Sequence, residues 1–353
     1  RIELDLIAAE RTDVPELVGV PRGKLVLIND DDLTYCSVRL DPESLETLIA
    51  RIADIADPLP RTLAWSAAWE MTRQAEFKAR DFVALVERGV GAETEVGVTQ
   101  RLIMQAQTAL GAYGDPAWAK DEGWPRFADR LLELAREAEP GSDHQLAFVN
   151  ALTSSVLAAW HTEVLQELLD ADPATVGLPG LVVDTDLRWR IVAALAAAGE
   201  IDADGLEKPF IDAELARDNT AAGKRMAASA ATTRPQAVVK EDAWNTVMDD
   251  DSVANITARA IVGGFAPQGQ GELLEGFLPR YFDAIPGIWE RRSSEVAQTV
   301  VIGLYPSWVI SEEALAVADE FLAKEHPAAL RRLVVEGRAG VVRSLAARAF
   351  DAS

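Results

Sequence analysis

Zinc-binding patterns are the first chemistry to look for in this sequence, and its three histidines do not form one. A helical zinc hydrolase site needs two histidines at i and i+4, so that both imidazoles reach one metal, and a glutamate beside the first to activate water. The segments His144–Phe148, His161–Leu165 and His326–Leu330 carry no second histidine at that spacing. We therefore expect each histidine to be a surface or helix-capping residue.

A run of carboxylates, Asp30 to Asp32, follows the apolar segment 25–28 and shortly precedes Tyr35. A calcium-binding EF-hand loop that began at Asp30 would need glycine at its sixth position and glutamate at its twelfth. Those positions hold Tyr35 and Asp41. Adjacent carboxylates also repel one another, and aspartate is common in turns because it accepts hydrogen bonds from nearby backbone N–H groups. The run is predicted to be a turn, not a metal site.

Motifs for nucleophilic catalysis and phosphate binding are also missing from the sequence. It contains no G-x-S-x-G nucleophile elbow, no P-loop and no G-x-G-x-x-G after a strand pattern. The glycine-rich segment 263–271 lies between helical patterns and is not followed by Lys-Ser or Lys-Thr. We predict that this segment is a loop, and that the chain contains no catalytic residue and no metal ligand.

The hydrophobic periodicity changes near residue 40. Short apolar runs and alternations at 2–6, 25–28 and 35–38 predict strands. Beyond Asp41 the apolar residues recur at helical spacing, as in Leu187, Ile191 and Leu195. Helix starts are predicted where a side chain can accept from the first backbone N–H groups, at Asp41-Pro42, Asp115-Pro116 and the capping box Ser142–Gln145.

These patterns predict a mainly α fold. They indicate roughly a dozen helices of about 10 to 20 residues with short connections, which make neighbouring helices pack antiparallel. Nine tryptophans are scattered along the helical region, which favours a curved superhelical array of helix pairs over one compact bundle. We expect residues 1–40 to form a short β segment and junction, and residues 41–353 to form a helical domain with a concave face.

Composition limits the partners of the chain. Its 353 residues are 49% hydrophobic and 26% charged, which is typical of a soluble globular protein. A formal net charge of −23 disfavours nucleic acid and membrane surfaces as partners. A single cysteine, Cys36, and the lack of a signal sequence or an apolar membrane span favour the cytoplasm. The sequence starts at Arg1, without an initiator methionine, so we expect a part of a longer protein.

Several long segments resemble the C-terminal part of actinobacterial aminopeptidase N, a zinc-dependent metallopeptidase of the M1 family. They occur in the same order as in that family and extend to near the end of the chain. The segments are Leu25–Tyr35, Arg61–Met71, Glu139–Ala147, Asp184–Arg190, Arg217–Arg225 and Glu336–Arg338.

The resemblance implies a role within a larger enzyme. In this family a helical bowl covers the catalytic domain and closes a chamber in which peptides are shortened from the N-terminus. This chain would be that bowl, preceded by the end of a β-sandwich, with peptides and the N-terminal catalytic domain as its partners. The Gly-Ala-Met-Glu-Asn segment and the His-Glu-x-x-His zinc helix are absent from it. Zinc would therefore belong to the catalytic domain, and this chain would need no cofactor and would not be catalytic alone.

Four arginines are candidates for binding a peptide's C-terminal carboxylate, a role that the resemblance implies for basic residues of the bowl. An arginine can donate two parallel hydrogen bonds to a carboxylate. The candidates are Arg188, Arg190, Arg291 and Arg292, and the alternative for each is a surface salt bridge. At the level of function, the alternative is an independent helical scaffold that binds a protein or peptide on its concave face.

Overall fold

The structure is a computed structural model that describes residues 9–353. None of the helices in this range is long and apolar enough to cross a membrane. Two π-helical segments, Ala109–Tyr113 and Ala119–Gly123, flank α5. The α-helices are α1 Pro42–Arg51, α2 Pro58–Arg73, α3 Ala79–Gly89, α4 Val96–Thr108, α5 Pro116–Trp118, α6 Trp124–Glu137, α7 Asp143–Leu152, α8 Ala159–Asp170, α9 Thr185–Ala198, α10 Pro209–Arg217, α11 Ala221–Thr233, α12 Ala237–Asp249, α13 Asn255–Phe265, α14 Gly271–Leu274, α15 Phe277–Arg291, α16 Ser294–Gly303, α17 Glu312–Leu322 and α18 Ala328–Asp351.

The predicted helix starts are confirmed. The Asp41 carboxylate accepts from the backbone N–H groups of Glu43 and Ser44 at the start of α1. Asp115 caps α5 in the same way, by accepting from the Trp118 N–H at 2.9 Å. These acceptors satisfy N–H groups that have no partner within the first turn of a helix. The capping residue and the N–H groups that it satisfies are only two or three positions apart, so the sequence alone predicts these helix starts.

The strands predicted near the N-terminus are not seen in the described part of the chain. Residues 25–28 and 35–38 have irregular backbone, and the alternation at residues 2–6 lies outside the described residues. A strand needs a second strand to take its backbone hydrogen bonds, and residues 9–353 contain none. The Val26 N–H instead donates to the Ser44 hydroxyl at 2.9 Å, and Val38 and Leu40 are buried in the helical core.

The helices pack against their sequence neighbours and also, in a second series, against helices two or three positions further along the chain. Neighbouring pairs include α6 with α7, α8 with α9, α12 with α13 and α17 with α18. A second series of contacts joins α4 to α7, α9 to α11, α11 to α13, α13 to α16 and α16 to α18. The last helix, α18, packs against α2, α3 and the π segment 109–113. The series therefore returns to the helices where it began.

The buried apolar side chains form two clusters rather than one core. One is built between Val38 and Ala230, and the other between Ala243 and Val341. We call these parts of the chain the first lobe, 38–230, and the second lobe, 243–341. Helix α18 belongs to both, because Val341 packs in the second cluster and Ala347 in the first.

The carboxylate of Asp351 fastens the end of α18 to the start of the helical region. Its side chain is completely buried and accepts from the backbone N–H groups of Arg80 and Asp115, each at 2.9 Å. The Arg80 guanidinium donates to it at 3.1 Å. One turn earlier, Arg348 donates to the carbonyls of Gly111 and Ala112 at 3.2 Å. We call the contacts of Asp351 and Arg348 the clasp.

Candidate functional site

Arg188, the first of the four candidate arginines, is engaged within the fold. From α9 its Nε and Nη2 donate to the two carboxylate oxygens of Glu214 on α10, at 2.9 and 2.8 Å. Its Nη1 donates to the Leu169 carbonyl at the end of α8, at 2.6 Å. The hydrogen bonds from Arg188 hold the pKa of Glu214 below its ordinary value, against the opposing effect of burial. Arg188 thus joins three helices, and its donors already have acceptors.

Arg190 is placed differently, although it lies two residues away on the same helix. Its side chain is exposed, and it makes no hydrogen bond or ion pair with any residue of the described range. On an α-helix, residues two apart point in different directions, so the ion pair of Arg188 leaves Arg190 untouched. Arg190 keeps its full set of donors for an external acceptor.

Arg291 and Arg292 hold a loop at the far end of the second lobe. Arg292 donates to the carbonyls of Asp250 and Val253, at 2.7 and 2.9 Å. Arg291 donates to the Met248 carbonyl at 3.1 Å and pairs with Asp251 at 3.6 Å. Both arginines therefore fasten the connection between α12 and α13. No described contact brings them together with Arg188 or Arg190, so the structure does not join the four residues into one site.

The glycine-rich segment forms a loop at a point where several helices end. The predicted loop 263–271 is shorter in the structure, because 263–265 complete α13 and Gly271 begins α14. We call residues 266–270 the central loop. Gln270 donates to the carbonyls of Ala197 and Thr233, at 3.0 and 2.8 Å, near the ends of α9 and α11. Gln268 lies directly against Gly111 of the π segment, where a methyl group would collide with its amide.

Side-chain amides are concentrated around the central loop. Gln107, near the end of α4, donates to the Ala151 carbonyl at 2.9 Å and the Ser155 hydroxyl at 3.1 Å. The buried amide oxygens of Asn150 and Gln270 are among those that have no hydrogen-bond partner within residues 9–353. Amides donate and accept hydrogen bonds without changing protonation state. Such a group can recognise a peptide backbone but has no acid or base to catalyse its cleavage.

The histidines are dispersed, and no three metal-binding side chains of the described residues are grouped to hold an ion. His161 is fully buried, which corrects the expectation of a surface position, but it has the expected capping role. Its Nδ1 accepts from the Ala158 N–H at 3.1 Å, and its Nε2 lies 3.0 Å from Asp129. Burial lowers the pKa of His161 and favours the neutral ring that accepts at Nδ1. His326 stacks on Phe321 with 3.9 Å between ring centroids.

The carboxylate run forms a tight turn. Residues Asp30–Asp32 are a single 3₁₀ turn, in which Asp31 has φ 64° and Asp32 has φ 54°. Asn29 braces the turn by donating to Asp32 at 3.1 Å and accepting from the Thr34 N–H at 3.1 Å. Aspartate tolerates this left-handed conformation better than most residues. The run acts here as chain architecture.

Comparison with known proteins decides the family. A sequence model of the ERAP1-like C-terminal domain matches residues 25–343 of the 353 residues. The chain belongs to the ERAP1-like C-terminal domain family.

A second comparison, with one related protein, extends this result. This ERAP1-like C-terminal domain is 43% identical to aminopeptidase N of Streptomyces lividans over 354 aligned residues. The alignment covers 100% of this chain and 40% of the relative, in its C-terminal part. The resemblance to aminopeptidase N seen in the sequence is confirmed. The chain spans about two fifths of the length of that relative.

Sequence reasoning missed the two features of this ERAP1-like domain that involve distant partners. The amides of the central loop have no motif, because the residues they contact lie on the π segment 109–113, α9 and α11. The clasp joins Asp351 to Arg80, which is 271 residues earlier. The sequence near Arg80 offers one local sign of the clasp. Lys78, at the start of α3, supplies no side-chain cap, so a first-turn N–H group is left for a distant acceptor.

Proposed function

We propose that this chain is the helical domain that encloses the active site of a zinc-dependent aminopeptidase and controls how peptides reach it. The observation that carries the proposal is the 43% identity, over the whole chain, to the C-terminal part of an aminopeptidase N. In this role the chain excludes water and selects peptides, and another part of the protein performs the chemistry. No comparison supports the alternative of an independent scaffold.

The proposed architecture is a superhelical bowl formed by residues 41–353, with residues 1–40 as the junction to a β-sandwich. Two observations support it. The first helix begins at Pro42, and α18 packs back against α2 and α3, so the helices follow a curved path. The amides of the central loop, at the meeting point of several helix ends, would lie on the floor of such a bowl.

The partner of the bowl would be the N-terminal catalytic domain of the same protein. The segment before α1 exposes large apolar side chains, with Val18 at 83%, Leu33 at 75% and Tyr35 at 109% relative exposure. Side chains of this kind are buried when a neighbouring domain covers them. Zinc would be bound in that domain, because the described residues here offer no ligand set. The assembled enzyme would trim peptides in the cytoplasm.

The proposal is tested with the purified chain and the preceding part of the protein, assayed with alanyl or leucyl chromogenic amides. We expect no hydrolysis by the chain alone, because it lacks the motifs for zinc binding and water activation. Full activity on peptides is expected only when both parts are present. Hydrolysis by the chain alone, or one equivalent of tightly bound zinc in it by elemental analysis, would contradict the proposal.

Arg190 is the candidate arginine that we propose as a peptide contact. In the assembled enzyme, Arg190→Ala should raise KM about tenfold for peptides with a free C-terminal carboxylate, because a hydrogen bond to a charged group contributes about 1.5 kcal/mol. The same peptides with an amidated C-terminus should show little change. Steady-state kinetics on the two peptide series measures the difference.

The matched control is Arg51→Ala. Arg51, the last residue of α1, is also exposed and forms a surface ion pair with Asp54. Arg51→Ala should leave KM unchanged for both series. Equal effects of Arg190→Ala on free and amidated peptides would show that Arg190 does not bind the carboxylate.

A further inference from the structure

The boundary between the first and second lobes is polar, although it is buried. Five polar residues lie there with at most 8% relative exposure, and none belongs to either apolar cluster. We call them the polar seam: Thr232, Thr233, Arg234, Lys240 and Gln270. Hydrogen bonds from these buried polar groups therefore join the lobes here, in addition to the direct packing of α11 against α13.

Lys240 connects the end of a helix in the first lobe to the end of a helix in the second lobe. Its Nζ is fully buried and donates to the Thr232 carbonyl at 2.7 Å and the Phe265 carbonyl at 2.9 Å. These carbonyls lie at the C-terminal ends of α11 and α13, where backbone acceptors have no partner within the helix. Within residues 9–353, no carboxylate pairs with the Lys240 amine, and the charged group that acts on it is Arg234.

Arg234 and Gln270 complete the connection. The guanidinium of Arg234 is surrounded by backbone carbonyls and ties the seam to the loop 202–207 of the first lobe, with 2.9 Å to Glu207 and 3.1 Å to Gly205. Gln270 joins the central loop to Ala197 and Thr233, as described above. Bonds of this kind can exchange partners while the apolar cluster of each lobe stays intact.

The direct helix contact across the boundary involves small residues. Helices α11 and α13 approach so closely at Gly264 that an added methyl group would collide with the Ser229 carbonyl. On the same helix, Gly263 faces open space. A second connection is α18, which passes from the second lobe to the first and is held by the clasp.

We propose that the polar seam is a hinge at which the second lobe shifts relative to the first, while α18 and the clasp keep the two lobes connected. Closely packed helices slide by about 1–2 Å in transitions of this kind, and apolar lobes move as units. The shift would change the spacing of the helices around the face that the two lobes share. The proposal rests on the packing of this chain and does not depend on the proposed function.

Distances between spin labels test the hinge. Labels are attached to cysteines that replace exposed residues, in a chain in which Cys36→Ser removes the native thiol. One pair spans the lobes, Met104→Cys with Ile302→Cys, and the reference pairs lie within a lobe, Met104→Cys with Trp160→Cys and Ile302→Cys with Val335→Cys. Pulsed EPR should show a broader distribution for the pair that spans the lobes than for either reference pair. Equal widths for all three pairs would overturn the proposal.

Two adjacent glycines provide matched variants. Gly264→Ala should shift the mean distance between the lobes by about 1–2 Å, because the added methyl group meets backbone that cannot move out of its way. Gly263→Ala adds the same atoms where there is space and should leave that distance unchanged. Equal distances in both variants, with normal circular dichroism, would contradict the hinge. If Gly264→Ala does not fold, Lys240→Met is the variant that tests the hinge. It removes the hydrogen bonds of Lys240 to the Thr232 and Phe265 carbonyls and should broaden the distribution of distances between the lobes. An unchanged width would refute the proposal.

Discussion

Asp351→Ala is expected to lower the free energy of unfolding by about 3–5 kcal/mol, the usual cost of removing one partner from a buried charged pair. The change removes the acceptor of two backbone N–H groups and of the Arg80 guanidinium. Each buried N–H left without a partner costs about 1–3 kcal/mol, and the side chain of Arg80 is 36% exposed, so water recovers part of the loss. Urea denaturation followed by circular dichroism gives the value.

The clasp should have this large effect because it caps a helix from a distance. The Arg80 N–H belongs to the first turn of α3, and the local residue Lys78 provides no side-chain cap. Asp351→Asn keeps an acceptor oxygen and should fall between the wild type and the alanine variant. It separates the loss of charge from the loss of hydrogen bonds.

The control for this prediction is Asp319→Ala. Asp319 also pairs with an arginine through two hydrogen bonds, to Arg338 at 2.6 and 2.7 Å, but its side chain is 54% exposed. Surface pairs of this kind contribute about 0–1 kcal/mol. If Asp351→Ala is no more destabilising than Asp319→Ala, the clasp does not hold the ends of the helical series together.

Lys240→Met is expected to remove a pH dependence from the stability of the protein. Burial, with a smaller effect of Arg234, lowers the pKa of Lys240 from 10.5 to about 7. Between these values the unfolded chain binds a proton that the folded chain has released, so the stability of the wild type rises with pH in this window. Below pH 7 both states are protonated, and the cost of burying the charge is fully present.

The predicted size of this effect is about 2 kcal/mol between pH 7 and pH 9, from linkage at 1.36 kcal/mol per pKa unit. The wild type should gain this amount relative to Lys240→Met, because the other titrating groups are common to both proteins. Urea denaturation at several pH values measures the difference. Lys224→Met, at an exposed position on α11, is the control and should run parallel to the wild type. Parallel curves for Lys240→Met would show that the buried amine does not titrate in this range.

Burial of these side chains could not be read from the sequence. Lysine and aspartate are normally exposed, and neither Lys240 nor Asp351 lies in a motif that indicates otherwise. The ion pair of Arg188 could not be read from the sequence either. The spacing of α9 places Arg188 outside its apolar stripe, but the partner, Glu214, is 26 residues away on another helix. Spacing along one helix shows where a side chain points and does not show what it meets.

The strand prediction for 25–28 and 35–38 is not confirmed in the described structure, for a related reason. Of the apolar residues in these runs, Val38 is buried, whereas Val26, Ile28 and Tyr35 are exposed. Whether such a run becomes a strand depends on a second strand that supplies hydrogen bonds. In the described range no second strand lies beside these residues, and their backbone stays irregular.

The sequence by itself determined the helical class, the helix starts at Asp41, Asp115 and Ser142, and the family. Helical periodicity and caps act over three or four residues, so their physical cause lies within the segment that shows them. The tertiary structure alone decided which arginine remains available, how Asp351 closes the helical series, and that a polar seam divides two apolar lobes. These contacts join residues that are tens to hundreds of positions apart, and they form only when every helix between them has packed.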